Sequence, residues 1–475
     1  MSPPHHDFEG VRAEFELPPA ADTDRFPAGV LAEAATIADA ARADLEDATA
    51  IPFVTIDPPG AKDLDQAMFL ERSGDGFTVH YAIADLGAVI PPNGAVDTEA
   101  RRRGQTIYLP DGRVPLHPPI LSEGALSLLA DQVRGAAVWT IEVGANGELG
   151  EVSVRRALVK SVAQLDYDGV QKSFDAGSPH SSLEPLADLG RLRQQVRVDR
   201  GAIELALPEQ EVYRVPRKRE VPPGDDWRVA MRVRTEVDGW NAEVSLLTGM
   251  AAAQLMLREE VGLLRTLPPA DERATRSFLA TAKTLGVTVP EGATPAHVLL
   301  ALDTSRPASL ALMTEATRLL RGAGYEAFDG SRPVLVDHAG VGGPYAHVTA
   351  PLRRLADRFG TEVCLAICEG RAVPEWVREA LPTLPEIMRT TDQLAHKVDR
   401  TCIDQAEVWS LAKRVGESFT AVVTHVDQSG AEVVLYEPPV IARCTGRGMR
   451  EGAEIAVRLA TVDERRREVA FTYEG

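Results

Sequence analysis

Thr55-Ile56-Asp57-Pro58-Pro59-Gly60-Ala61-Lys62-Asp63-Leu64-Asp65-Gln66-Ala67 is the stretch on which the reading of this chain turns. The β-branched run Phe53 to Ile56 leads into a Pro-Pro-Gly loop, the pattern of a strand that ends in a turn. Three carboxylates, Asp57, Asp63 and Asp65, then fall within a short span. In extended backbone Asp63 and Asp65 point to the same side. Carboxylates this close repel one another and are tolerated where water or a divalent cation lies between them. Magnesium takes hard oxygen ligands, leaves positions for phosphate and water, and can activate water for phosphodiester hydrolysis. The spacing is not that of an EF-hand, which needs alternating ligands, a central glycine and a closing glutamate. A solvated acidic turn would use the same residues, so the loop alone leaves both readings open.

The flanks show what surrounds the loop. Upstream, Pro27 to about Asp47 carries apolar residues at helical spacing and reads as one helix. Downstream, Phe77, Val79, Tyr81 and Ile83 alternate as in a half-buried strand. Val138 to Val143 and Val152 to Val159 are further strand candidates around the Gly144 to Gly150 turn. From about Leu183 helical periodicity takes over, in Leu183 to Val198, Trp240 to Leu267, Asp271 to Leu285 and Pro295 to Leu302. It continues in Pro307 to Leu320, Leu352 to Glu369 and Leu384 to Glu417, with breaks such as Pro222-Pro223-Gly224 between segments.

The tail returns to short strands: Phe419 to Val426, Glu432 to Leu435, Val440 to Cys444, Ala453 to Leu459 and Glu468 to Tyr473. They suit a small OB-type barrel, a frequent binder of single strands, with an edge extension of the main sheet as the rival. The expected fold is α+β: a mixed sheet with surrounding helices, then a C-terminal five-stranded barrel. The expected division is an extension with one helix over 1–50, a large domain over 51–412 and the barrel over 413–475.

The balance of 51 Lys+Arg against 70 Asp+Glu gives a net charge of −19, which argues against a surface that is basic throughout. A local groove can still be cationic. Candidates are Arg101-Arg102-Arg103, Arg214 to Arg219, Arg353-Arg354 and Arg465-Arg466-Arg467. Four cysteines are too few for a disulfide framework in 475 residues. Cys364 and Cys368 stand one helical turn apart in an apolar stretch and read as buried, reduced thiols. No apolar run reaches membrane-spanning length, and Met1 to Gly10 lacks the pattern of a secretory signal, so a cytoplasmic location is expected.

The loop Thr-Ile-Asp-Pro-Pro-x-Ala-x-Asp-Leu-Asp resembles the signature that opens the catalytic (RNB) domain of ribonuclease II and ribonuclease R enzymes. Val79 to Asp85 is similar to the family's next strand, and Tyr108-Leu109-Pro110 with Pro115, Pro118, Leu121-Ser122 and Ser127-Leu128 to its next segment. Arg200-Gly201-Ala202-Ile203 with Pro208-Glu209, and Tyr345 to Arg354, resemble further family motifs in the right order. The resemblance covers about Ile51 to Arg400 and implies magnesium-dependent 3′-to-5′ hydrolysis of single-stranded RNA to nucleoside 5′-monophosphates. Manganese is an alternative metal, and a monomer without membrane association is expected.

The same resemblance implies roles. Asp57, Asp63 and Asp65, with Gln66, match the metal site, and Asp65, Asp63 and Arg353 match the catalytic groups. Tyr108 matches an aromatic that stacks on a base near the 3′ end. Tyr167, Arg353, Arg354, Leu205 and Asp399 match other RNA-contacting positions. Four departures qualify this. Gln66 stands where the family usually has a fourth aspartate, removing a negative charge from the site. Leu205 replaces an aromatic, so stacking is expected to be one-sided. Ala350 replaces a serine, and Asp399 a glutamate. About 50 residues precede Ile51, too few for the two cold-shock barrels common in the family, so weaker grip on long RNA is expected. An RNA-binding protein of the same fold with weak or no catalysis is the alternative.

Overall fold

Phe53–Ile56 forms a strand, as its β-branched sequence predicts, and all of it is buried. In this computed structural model, residues 7–40, 45–205, 209–215, 227–232, 234–303 and 306–475 are described. Pro208, the run Arg217 to Arg219 and the break at Pro222-Pro223-Gly224 lie outside the described residues. The main sheet contains β1 (Glu46–Asp47), β2 (Phe53–Ile56), β3 (Gln66–Ser73), β4 (Gly76–Ala84), β5 (Val133–Val143) and β6 (Leu149–Leu165) in the order β1-β6-β2-β3-β4-β5. β1 and β2 run parallel to β6, and the remaining pairs are antiparallel. The 17-residue β6 pairs with β2 near its end and with β5 along the rest, which curls the sheet back on itself.

Both faces of the sheet are covered. On one side Tyr81, Trp139 and Ile141 pack with Leu247 and Ala251 of the Glu236–Arg258 helix and Phe359 of the Leu355–Cys368 helix. On the other, Ala82, Ala136 and Val138 meet Phe53, Leu64 and Leu128. Leu64 is fully buried there, which stabilises by about 1.5–3 kcal/mol and anchors the loop between its two acidic neighbours.

Two expected helices give way to strands. The Pro27-to-Asp47 segment is helical over Ala28–Ala40, and Glu46–Asp47 instead pairs with Ala157 and Leu158 as a short strand. The Trp240-to-Leu267 segment is helical to Arg258, reverses at Glu260 with φ 52°, and continues as the strand Val261–Thr266 against Gly324–Asp329. An unbroken apolar run has no periodicity to separate a buried strand from a buried helix, so Val261 to Leu264 read as either. β3, which the sequence reading passed over, pairs with β4 through a turn at Gly74.

The tail forms a closed five-stranded barrel from Ser418–Asp427, Gly430–Leu435, Ile441–Thr445, Glu454–Asp463 and Glu468–Tyr473. It has its own core around Val423, Val433, Leu459 and Phe471. Among the described residues no helix is long and apolar enough to cross a membrane.

Glu407, near the end of the Leu384–Leu411 helix, ties the barrel to the body. Its Oε1 accepts from Gln210 Nε2 at 2.7 Å and from the Ile441 backbone N–H at 3.0 Å. Burial pushes its carboxyl up to about 7 from 4.5. Between those values the folded chain holds a proton that the unfolded chain has released. Its stabilising contribution is therefore complete below about pH 4.5 and lost as pH rises through about 7. Glu407→Gln keeps the accepting oxygen and removes the titration. Thermal melts of this variant should lose a pH dependence worth up to roughly 3 kcal/mol between pH 5 and pH 8, at about 1.4 kcal/mol per pKa unit. Identical slopes for variant and parent would refute the assignment.

Candidate active site

The acidic loop is fixed by its own backbone. Ala61 N–H donates to the Pro58 carbonyl at 3.1 Å, closing a turn in which Gly60 takes φ 83°, a conformation that favours glycine. Ser127 Oγ donates to the Lys62 carbonyl at 2.6 Å and accepts from Leu64 N–H at 2.9 Å. Gln164 Nε2 donates to the Ala61 carbonyl at 2.8 Å. With Leu64 held in the core, Asp63 and Asp65 project away from it.

Each carboxylate meets a different partner. Asp65 is 5% exposed; its Oδ1 accepts from Leu352 N–H at 2.7 Å, and its Oδ2 lies 3.4 Å from Arg353 Nε. Burial pushes the Asp65 carboxyl up to about 8, against the opposing pull of Arg353 and the Leu352 N–H. Asp63 Oδ2 accepts from the Tyr108 hydroxyl at 3.4 Å, and Oδ1 is 3.7 Å from Arg113. Burial pushes Asp57 up to about 6; the nearby Thr55 hydroxyl and then Arg353 oppose the rise, and Asp63 adds to it.

The pairing of Val54 with Met68 brings the end of β2, which leads into Asp57, beside Gln66 at the start of β3. Asp57 Oδ2 and Gln66 Oε1 are both buried without a hydrogen-bond partner. An unsatisfied buried acceptor costs about 1–3 kcal/mol, and a hard cation would satisfy both oxygens. Among the described residues no group of three or more His, Cys, Asp or Glu side chains is placed to hold a metal. The two orphaned oxygens are donors of the hard type that magnesium takes, an ion that commonly keeps water and phosphate in its remaining positions.

Arg353 opens onto a cleft of about 520 Å³, within the range of ligand sites. Tyr108, Arg353, Arg354 and Asp399 all line it. The segment carrying Tyr108 is strapped to the arginine motif by Thr106 N–H donating to the Arg353 carbonyl at 2.9 Å. Gly104, at φ 68°, lies so close to Thr391 that a Cβ there would stand 2.5 Å from its methyl. Tyr108 is 49% exposed, and the Arg353 side chain 48%, so both face solvent in the cleft.

The other expected residues divide. Tyr167 opens the Tyr167–Asp175 helix; its hydroxyl accepts from Asn241 Nδ2 at 3.2 Å, and Asp57 acts on it electrostatically. Arg354 reaches the cleft wall, but its guanidinium is forked onto Asp357 at 2.6 and 3.0 Å, so its charge is committed to that carboxylate. Leu205 is not in the cleft. It packs with the apolar cluster of Ile203, Phe278 and Leu312. The sequence reading missed Arg265, His347, Asp392 and His396, all of which line the cleft. The helical spacing of Asp392, His396 and Asp399 on one face was the available signal.

Comparison with known proteins gives this arrangement its class. Residues 42–360 match the RNB domain, and residues 417–474 match the RNase II-type exonuclease C-terminal S1 domain. An RNB core followed by an S1-type barrel is the build of a ribonuclease R-like protein. The chain belongs to the RNB-domain exoribonuclease family. It is 29% identical over 452 residues to ribonuclease R of Vibrio cholerae, covering 88% of this chain and 52% of that protein. It is 30% identical over 346 residues to ribonuclease R of Escherichia coli, covering 70% and 41%. The chain thus spans about half the length of these curated relatives. In fold it resembles the apo form of Mycoplasma genitalium RNase R, with a TM-score of 0.84, 20% identity, and coverage of 98% of this chain and 77% of that one. It also resembles yeast Ssd1, a pseudonuclease, with a TM-score of 0.71, 17% identity, and coverage of 88% and 53%.

Proposed function

We propose that this chain hydrolyses single-stranded RNA from its 3′ end and releases nucleoside 5′-monophosphates. The observation that carries the reading is that Arg353, which lines the same cleft as the exposed Tyr108, lies 3.4 Å from the buried Asp65. In this reading Asp57, Asp63, Asp65 and Gln66 hold magnesium, with manganese as a substitute. The ion, when bound, supplies an activated water and stabilises charge on the leaving oxygen. Arg353 grips the scissile phosphate, a task suited to a permanently charged, forked donor. Tyr108 stacks on a base whatever its identity, because every base has a π-face. Asp399 lies on the helix face lining the cleft and shapes the charge of the path along which the strand enters.

Incubating the protein with 5′-labelled single-stranded RNA and magnesium tests this. The label should shorten to a small core while mononucleotides accumulate, and DNA of the same sequence should survive. Internal cleavage products would refute it. Arg353→Ala should lower kcat by about a hundredfold to a thousandfold, as expected when a donor to transition-state charge is lost. Arg353→Lys should recover only part of this, lacking the fork. An unchanged kcat in Arg353→Ala would remove this arginine from the reaction.

Gln66 favours a second reading, an RNA-binding protein with little catalysis. The site then lacks a charge, and no three-carboxylate cluster forms among the described residues. Tight RNA binding without mononucleotide release would establish it.

A further inference from the structure

The lining of the cleft contains a group that the proposed chemistry does not use. His347 lines the cleft between Arg354 and Arg265. Its Nδ1 is 2.6 Å from the hydroxyl of Tyr325, which is itself buried. The imidazole also stands edge-on to Tyr325 and Tyr345, at centroid distances of 5.5 and 5.3 Å. Arg265 backs this assembly, stacked over Tyr325 at 4.7 Å and paired with Asp392 at 3.3 Å. The ring is therefore held on three sides, with the cleft as its open side.

Burial, with the Arg354 and Arg265 charges, holds His347 well below the usual histidine range. A neutral ring adds nothing to the attraction of phosphate, which the exposed Arg353 supplies. It offers a directional hydrogen bond at a fixed place. A ribose 2′-hydroxyl both donates and accepts, so it complements an oriented imidazole in either tautomer, and it is the group that separates RNA from DNA. We propose that His347, oriented by Tyr325, contacts a ribose 2′-hydroxyl of RNA lying in the cleft. Tyr325 is a positioning residue, acting through His347. This rests on the cleft being the RNA site of the proposed function.

The test pairs variants with substrates in which one ribose at a time, among the last few nucleotides, is made 2′-deoxy. With the parent protein, deoxy substitution at one position should lower kcat/KM by about threefold to tenfold, as expected for one lost neutral hydrogen bond. His347→Ala should show a similar loss on all-ribose RNA and no further loss at that position. Tyr325→Phe, which keeps the aromatic packing, should reduce the deoxy penalty and lower kcat/KM on all-ribose RNA by no more than His347→Ala does. His347→Gln should restore part of the penalty. If His347→Ala does not fold by thermal melt, the Gln and Phe variants decide the matter. Deoxy penalties that stay the same in every variant at every position would overturn the proposal. If the parent cuts no RNA, the hydrolytic reading fails by itself, and the same pairs measured by fluorescence anisotropy still decide the contact.

Discussion

Asp65→Asn should leave RNA bound and uncut. The substitution is close to isosteric, and the amide oxygen can still accept from Leu352 N–H where Oδ1 now does so at 2.7 Å. What it removes is the ionisable carboxyl 3.4 Å from Arg353, one residue before Gln66. In the proposed mechanism its carboxylate form helps to hold the cation and to orient the guanidinium, so mononucleotide release should fall about a thousandfold or more. Stability should hold or rise, because burial of this carboxyl in its charged form is disfavoured. Asp65→Ala differs: it leaves the Leu352 N–H without an acceptor and should cost about 1–3 kcal/mol in a melt as well as the activity. Single-turnover kinetics, anisotropy with labelled RNA and thermal melts on the two variants separate these effects. Retention of a tenth of parental activity by Asp65→Asn would show that the reaction does not depend on this carboxylate.

The loop carrying Asp65 was legible because short-range chemistry writes it. A β-branched strand, two prolines, a glycine at positive φ and an acid-Leu-acid alternation each act within a few residues. The barrel was legible for a similar reason, as five short alternating strands with turns between them. Strand Val261–Thr266 was not, since its pairing with Gly324–Asp329 is distant in sequence and its apolar run has no period. The cleft was half legible. Tyr108 and Arg353 come from quoted motifs and meet there, whereas Arg265 and Asp392 meet only because a strand and a helix far apart in the chain pack together. Leu205 was not legible as a cluster residue, because its position in a motif carries no information about whether a leucine packs against the apolar cluster around Phe278. Arg354 shows the opposite case: the sequence places it beside Arg353 but cannot show that Asp357, three residues on, takes up its charge.

Gln66→Asp should make the site more responsive to magnesium. Gln66 Oε1 is buried and unpartnered, at the point where β3 leaves the acidic loop. A carboxylate there adds a unit charge a few ångströms from the proposed ion. At an effective dielectric of 20 two unit charges 4 Å apart gain about 4 kcal/mol, of which water and the cost of burying the new charge cancel much. A net of about 1.4 kcal/mol corresponds to a tenfold fall in the magnesium concentration for half-maximal activity. The same cost has a signature without any substrate. In chelator the variant should melt below the parent, because a fourth carboxylate joins Asp57, Asp63 and Asp65 with nothing to offset it. Added magnesium should then raise its melting temperature more than the parent's, since an ion that binds the folded state stabilises it by mass action. This pair of measurements also separates the two functional readings. A parent that binds RNA but releases no mononucleotide, beside a variant that does, would mean that the amide at position 66 is what silences an otherwise complete site. Equal magnesium dependence of activity and melting in the two proteins would place position 66 away from the ion.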